Sequence, residues 1–152
     1  MSEAADTVLA EPTQDERSMA VLAHALQMVG GWIAPLIIFI VKRNSRFVCF
    51  HALQALLLQV AYFLVSMFFG MIWFALIFSQ VLTHAGQHSS DFPIAFFIVF
   101  PVVWFGFMVS WVGILVIVII YSIKAGRGEW AEYPLIGGLA RKMLGIGPKG
   151  SV

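Results

Sequence analysis

Charged side chains are scarce in this sequence of 152 residues, in which Asp, Glu, Lys and Arg supply 11% and apolar residues supply 61%. Soluble domains have roughly 25% charged and 45–50% apolar residues. A soluble fold of this size could not cover its surface with so few charges, so the composition excludes an ordinary soluble domain.

Cysteine is nearly absent too, because Cys49 is the only one, and a disulfide within the chain is therefore excluded. The first seventeen residues are polar and acidic, so we expect no cleavable signal peptide there. We predict disordered tails over residues 1–12 and 145–152, with one transmembrane helical domain over residues 13–144 between them.

The usual catalytic signatures are also missing. The sequence contains no HExxH, P-loop, GxSxG or Gly-rich dinucleotide pattern. Its basic residues are few and lie at the ends of apolar stretches, which suits anionic lipid headgroups better than nucleic acid. We therefore predict neither an enzyme nor a nucleic-acid-binding protein.

Long runs without charge are abundant by contrast. Ser18–Val41, Phe47–Ser90 and Phe92–Ile123 contain no Asp, Glu, Lys or Arg. About 20 apolar residues suffice for a helix to cross a bilayer, and a backbone in hydrocarbon must satisfy its own hydrogen bonds. The sequence predicts an all-α integral membrane protein with three transmembrane helices, or alternatively four with a turn near Gly70.

The helices are expected over about residues 15–41, 47–83 and 92–123, followed by a short amphipathic helix over 135–144. Thr13 and Glu16 match a capping box at the start of the first helix. Pro35 lies inside that helix and is expected to kink it.

Orientation is predicted from the basic residues in short loops. The first loop carries Lys42, Arg43 and Arg46, the second loop carries no Lys or Arg, and the segment after the third helix is basic again. With three spans this pattern places the N-terminus outside and the C-terminus in the cytoplasm of a bacterial inner membrane.

Polar residues fall on one face of each predicted helix at 100° per residue. Helix two gives His51, Gln54, Gln59, Tyr62 and Ser66, and helix one gives His24, Gln27 and Gly31. Helix three gives Gly106, Ser110 and Gly113. Small and polar residues favour close helix packing, in one chain or in an oligomer, and a polar pathway or ligand groove is the alternative.

The tetrapeptide His-Ala-Leu-Gln occurs at both His24 and His51. In a hairpin folded at Lys42–Arg46 the two histidines would lie about 20 Å apart by the helical rise, so a shared metal is not predicted. One of them as an axial ligand to haem or a chlorin stays an alternative. His84 and His88, with only Asp91 nearby, do not predict a metal site either.

A polar motif follows the third helix and comprises Lys124, Arg127, Gly128, Glu129, Tyr133 and Pro134. It is interpreted as a helix stop with an interfacial anchor, in which Trp130 and Tyr133 lie at headgroup depth. A docking site for a soluble partner is the alternative.

Several motifs follow one another in a recognisable order. They are His24, Pro35–Ile38, Lys42–Arg43, Phe50–Ala55, Lys124–Glu129 and Tyr133–Leu135. Over residues 13–140 this order resembles a bacterial membrane-protein family of unknown function, related to the twenty-kilodalton subunit of the chloroplast inner-envelope import translocon (Tic-twenty-like). The resemblance implies a helical bundle in a membrane, and protein translocation by distant analogy.

The sequence as a whole predicts a non-enzymatic membrane protein that contacts the lipid bilayer and other membrane subunits or copies of itself. It would be an accessory or assembly subunit of a larger complex, or a homo-oligomer. Two alternatives stay open. One is a channel or translocon-like pore lined by the polar face of helix two, and the other is a haem- or chlorin-binding subunit.

Overall fold

The computed structural model describes residues 11–84 and 94–147 of the chain. In these ranges it contains five α-helices and no strand: α1 Gln14–Gly30, α2 Ile33–Val41, α3 Arg46–His84, α4 Ile94–Gly126 and α5 Ile136–Met143. The prediction of an all-α fold is confirmed for this part of the chain. Most of both predicted tails, and the loop that holds His88 and Asp91, lie outside the described residues.

The first apolar stretch differs from its prediction, because the helix expected over residues 15–41 is divided into α1 and α2. Gly31 follows α1 with φ of 55° and ψ of −137°, a backbone conformation that favours glycine. Pro35 lies in the first turn of α2, where its missing N–H costs no helical hydrogen bond, so it does not kink a long helix. The predicted capping box is present at Thr13 and Glu16.

The α1 and α2 helices fold back on each other. Asp15 at the start of α1 forms an ion pair of 2.7 Å with Lys42, which directly follows α2. A Cβ added to Gly30 near the end of α1 would lie 3.0 Å from the Ala34 Cβ at the start of α2. Both ends of this helical hairpin therefore lie together, whereas the sequence predicted that one span would separate them.

The prediction of three spans is not confirmed. Two helices in the described residues are long and apolar enough to cross a membrane, Arg46–Thr83 and Phe97–Gly126. The α1 and α2 helices have 17 and 9 residues, and each falls short of the roughly 20 apolar residues that a span requires. The four-span alternative is wrong in one respect, since α3 continues as a helix through Gly70.

The chain divides into two compact units. The first unit comprises residues 1–61 and 115–152, and the second comprises residues 62–114. In the first unit, buried Phe50 and Leu53 of α3 pack with Ala140 of α5, and Trp130 packs against this cluster. A Cβ on Gly137 would clash with the side chain of Glu132, so α5 can approach that segment closely only because glycine occupies this position.

The second unit is much more open. Most of its large apolar side chains are more than 40% exposed, and its ring contacts include that of Trp73 with Phe100, whose centroids lie 6.3 Å apart. Exposed apolar surface of this extent suits lipid or a neighbouring subunit.

The small residues of α4 do not pack as predicted within one chain. Gly106, Ser110 and Gly113 are exposed, and a Cβ on either glycine would meet nothing within 4 Å. The less exposed side chains of this stretch, such as Phe107, lie about 80° further round the helix at 100° per residue. A contact through these small residues therefore stays a prediction for an oligomer.

Candidate functional site

The most polar buried part of the described chain is a cluster in the first unit around His24, His51 and Tyr133. They belong to α1, to α3 and to the segment before α5, and they are 0%, 0% and 2% exposed. The His24 Nε2 lies 3.0 Å from the His51 Nδ1, and the His24 Nδ1 lies 2.8 Å from the Tyr133 hydroxyl. We call these residues, together with Gln27, Gln54 and Gln59, the polar cluster.

The direction of the hydrogen bonds follows from one backbone carbonyl. His51 Nε2 lies 3.1 Å from the carbonyl oxygen of Glu129, which can only accept, so that nitrogen carries a proton. In the neutral ring the Nδ1 then accepts from His24 Nε2, and His24 Nδ1 accepts from the Tyr133 hydroxyl. Both rings therefore have a defined tautomer, and all four ring nitrogens have partners.

The glutamines attach backbone segments to the same helices. Gln54 accepts from the backbone N–H of Tyr133 at 2.7 Å and donates to the Ala131 carbonyl at 3.1 Å. Gln59 donates to the carbonyl of Gln27 at 3.0 Å, close to the end of α1. Gln54 thus satisfies buried backbone groups of the segment before α5, and Gln59 satisfies a carbonyl of α1.

Glu132 extends the contacts around the polar cluster towards α5. Its carbonyl accepts from the Tyr121 hydroxyl at 2.6 Å, and its carboxylate accepts from the Arg141 Nε at 2.6 Å. The two charged side chains are only 18% and 14% exposed. Their pairing offsets the cost of shielding each charge from water.

The polar cluster is kept uncharged by its surroundings. Burial, followed by the neighbouring His51 ring, lowers the pKa of His24 to about 3. Burial also raises the pKa of the Tyr133 hydroxyl. At neutral pH the His24 ring is therefore neutral and the Tyr133 hydroxyl keeps its proton, as the hydrogen-bond directions require.

Most residues of the predicted polar face belong to the polar cluster, and two of them do not. His24, Gln27, His51, Gln54 and Gln59 meet in the polar cluster, whereas Tyr62 and Ser66 belong to the second unit and are half-buried there. The predicted separation of about 20 Å between the two histidines by the helical rise is wrong. The chain reverses at Gly31 instead of only at Lys42–Arg46, so α1 runs beside α3 in the same direction.

The predicted motif after the third helix is divided between the interior and the surface. Tyr133 is buried in the polar cluster, and the Glu129 backbone fixes the histidine tautomers. The headgroup depth of Tyr133 stays a prediction. Gly128 has φ of 79°, and a Cβ there would lie 3.1 Å from Pro12 and from Arg17.

The remaining members of the motif lie around these residues. The Lys124 ammonium lies 5.4 Å from the Tyr121 ring centroid. Arg127 lies 4.0 Å from the Glu129 carboxylate, and Pro134 is exposed. Sequence analysis missed the roles of Tyr121, Ala131, Glu132 and Arg141, whose partners lie far along the chain or on the backbone.

The hydrogen bonds of the polar cluster join α1, α3 and the segment before α5, and they leave few side-chain groups available for a reaction. Since every ring nitrogen of His24 and His51 is engaged, an axial ligand role at either would require a hydrogen bond of the polar cluster to break. Gln54 and Gln59 donate to the backbone carbonyls of Ala131 and Gln27. Among the described residues there is no group of three or more metal-ligating side chains.

An all-helical chain with two candidate spans and a buried polar cluster defines the class as a helical membrane protein. A family model matches residues 15–140, and its description is the magnetosome magnetite crystal formation protein family. Because the match covers most of the chain, the protein belongs to this family, MamF/MmsF.

This family corrects the resemblance drawn from the sequence. The motifs attributed to a translocon-related family, from His24 to Leu135, all lie within the matched range, so they belong to a magnetosome membrane family instead. No curated protein matches the chain. No solved structure matches it either.

Proposed function

We propose that this protein is a non-enzymatic subunit of the magnetosome membrane that takes part in magnetite crystal formation through contacts with other membrane subunits or with copies of itself. The observation that carries the proposal is the family match over residues 15–140, which includes the polar cluster and the whole of both candidate spans.

The contacts in the first unit support a structural mode of action. His24, His51 and Tyr133 bind one another and the Glu129 backbone, so the groups best suited to acid–base chemistry serve to join α1, α3 and the segment before α5. A rigid polar cluster of this kind positions helices relative to one another, which is what a scaffold for assembly needs.

The open surface of the second unit supports a role in assembly. Exposed apolar side chains such as Phe63, Phe74 and Trp104 are 59% to 69% exposed in the single chain. The exposed small residues Gly106 and Gly113 would allow a second helix to approach closely. This combination suits a helix that meets lipid on one side and another subunit on the other.

The first test is genetic. The protein would be expressed in a magnetosome-forming bacterium whose own family members have been deleted. We expect it to fractionate with the magnetosome membrane and to restore crystal size, as measured by electron microscopy. Unchanged crystals, or a protein confined to the remaining cytoplasmic membrane, would overturn the magnetosome assignment.

A second test separates the structural mode from the biological process. Gently extracted membranes would be cross-linked, and the partners of the chain identified by mass spectrometry. Gly106→Leu should remove the contacts, whereas Leu64→Phe, on an exposed position of α3, should retain them. A monomer without any cross-linked partner that still restores crystals would refute the assembly role while leaving the family function intact.

A further inference from the structure

The α5 helix has two apolar sides, of which the described chain covers only one. Gly137 and Ala140 are buried against the first unit, and the approach of Gly137 to Glu132 fixes that side inward. On the other side Leu135, Leu139 and Met143 are 96%, 49% and 60% exposed. Leu139 and Met143 are four residues apart and therefore share one edge of α5, and Leu135 directly precedes the first residue of this helix.

The position of α5 along α3 gives its depth. Ala140 packs with Phe50 and Leu53, and Leu57 packs against the same cluster. Phe50, Leu53 and Leu57 follow Arg46 by four to eleven positions, or about 6–16 Å at the helical rise. Because the candidate span, assigned by length and composition, begins at Arg46, α5 lies beside the first turns of a helix that is long and apolar enough to cross a membrane.

Charges around α5 are arranged for such a boundary. Arg141 and Glu132 neutralise each other on the shielded side. Lys142 is exposed beside the apolar edge, and no acidic partner for it occurs among the described residues. Arg43 and Arg46 are likewise exposed at the start of α3. Cations in this position complement the phosphates of anionic lipids.

Leu135, just before α5, combines a strained backbone with an exposed apolar side chain. Its φ of 67° is the only positive value at a non-glycine residue in the described chain, and this conformation is unfavourable for an L-residue. The strain holds an almost completely exposed leucine away from the protein, although burial would favour the reverse. An apolar medium outside the chain accounts for the exposed side chain.

We propose that the exposed edge of α5, formed by Leu135, Leu139 and Met143, is inserted at the headgroup–acyl boundary of the leaflet in which α3 begins, and that Lys142 binds an anionic phospholipid phosphate there. This surface is independent of the role in crystal formation, since it requires only that α3 crosses the membrane. Amphipathic helices that bind membranes lie at this depth.

Spin-label accessibility tests the insertion. The full chain with Cys49→Ser, which keeps a donor towards the Lys42 carbonyl, would be labelled at Leu139→Cys in nanodiscs of equal parts phosphatidylcholine and phosphatidylglycerol. Labels at Asn44→Cys and Leu64→Cys supply the water and lipid references, since both positions are exposed. Collisions with oxygen and with a nickel chelate would be compared at the three sites.

We expect the label at position 139 to collide with oxygen in preference to nickel, as the label at position 64 does. Preference for nickel, as at position 44, would overturn the insertion and favour a soluble partner. Protection from both reagents would also overturn it and favour a second protein copy on this surface. A label at Met143→Cys repeats the test if Leu139→Cys fails to fold.

Bound lipid tests the phosphate contact. Native mass spectrometry would count the phosphatidylglycerol molecules that stay on the detergent-extracted protein. Lys142→Gln should lower retention several-fold, while Lys142→Arg keeps it. Arg127→Gln is the matched control, because that cation already has Glu129 nearby. Equal retention by Lys142→Gln and the unchanged protein would refute the phosphate contact.

Discussion

The two units of the chain use the same long helix α3 in different ways. In the first unit, His51, Gln54 and Gln59 are bonded to partners 27 to 79 positions away. In the second unit, the polar side chains of Ser79 and Thr83 donate to carbonyls three or four residues earlier in their own helix. The polar side chains in the first part of α3 therefore form tertiary hydrogen bonds. Ser79 and Thr83 in the second part form hydrogen bonds within their own helix.

This difference separates two kinds of requirement on a membrane helix. A polar side chain shielded from water must find a partner, which restricts both its identity and its neighbours. An apolar side chain on an open helix face needs only a medium of similar polarity, so many residues are equivalent there. Removing a polar side chain should therefore lower the stability of the fold more in the first unit than in the second.

The largest effect is expected for His51→Ala in the first unit. This change removes a fully buried ring and leaves both His24 Nε2 and the Glu129 carbonyl without a partner. Loss of the ring and of two hydrogen bonds should cost about 3–5 kcal/mol. For a chain of this size that is a fall in Tm of about 10 °C, measurable by thermal unfolding in detergent.

Ser66→Ala on the same helix is the control from the second unit. Ser66 is half-buried there, and its loss should change stability by less than about 0.5 kcal/mol. Equal losses for the two variants would contradict the distinction between the units.

Acid should act next most strongly, through His24 in the first unit. The unfolded His24 takes up a proton below pH 6.5, whereas the folded pKa is lowered to about 3 by burial. The stability that this difference contributes is present above pH 6.5 and is lost progressively as the pH falls towards 3. Between pH 6.5 and 5 the loss should reach about 2 kcal/mol for this one group.

The measurement is Tm against pH from 8 to 5. The lower limit matters because hydrogen bonds from Ser45 and Thr13 lower the pKa of Glu16, so that acid destabilises the start of α1 as well once the pH falls below 4.5. His24→Gln should flatten the curve above pH 5, although it lowers the overall Tm. A curve that keeps its full slope in this variant would exclude His24 as the source.

Part of the polar cluster could be predicted from α3 alone. The projection at 100° per residue placed His51, Gln54 and Gln59 on one face, and a regular helix preserves that relation. The turn at Gly31 could not be foreseen, since glycines are common within membrane helices and the apolar run continues through it. The contact of His24 with His51 was missed for that reason.

The contribution of the segment before α5 could not be predicted either. Glu129 and Ala131 act through their carbonyls, which every sequence supplies, and Tyr133 occurs in a stretch without helical periodicity. Aromatic residues after a membrane helix are usually interfacial, and this rule does not indicate that Tyr133 is buried against His24. Only the folded chain shows that Gln54 binds this backbone from 79 positions away.

A smaller effect is expected for Tyr133→Phe. The change keeps the buried ring but removes the hydroxyl that donates to His24 Nδ1 at 2.8 Å. The unpaired His24 acceptor, together with the longer hydrogen bond of 3.5 Å that the hydroxyl accepts from Gln27 Nε2, should cost about 1–2 kcal/mol. Tyr62→Phe makes the same change in the second unit and should stay within about 0.5 kcal/mol, with both read from urea unfolding in mixed micelles. A larger loss for Tyr62→Phe would indicate that the second unit also depends on a specific polar contact.

The smallest effect is expected for Gly106→Ala, and its sign depends on what covers this face of α4. The added Cβ has no neighbour within 4 Å in the single chain, and alanine favours a helix over glycine by about 0.5–1 kcal/mol. If lipid alone covers this face, Gly106→Ala should raise Tm slightly, and Gly113→Ala on the same face should do likewise. If a second subunit packs there, the methyl group separates the backbones, so both variants should lower Tm and shift the protein towards monomer in size-exclusion chromatography with light scattering. The sign of this small change in Tm therefore decides whether lipid or a second subunit covers this face of α4.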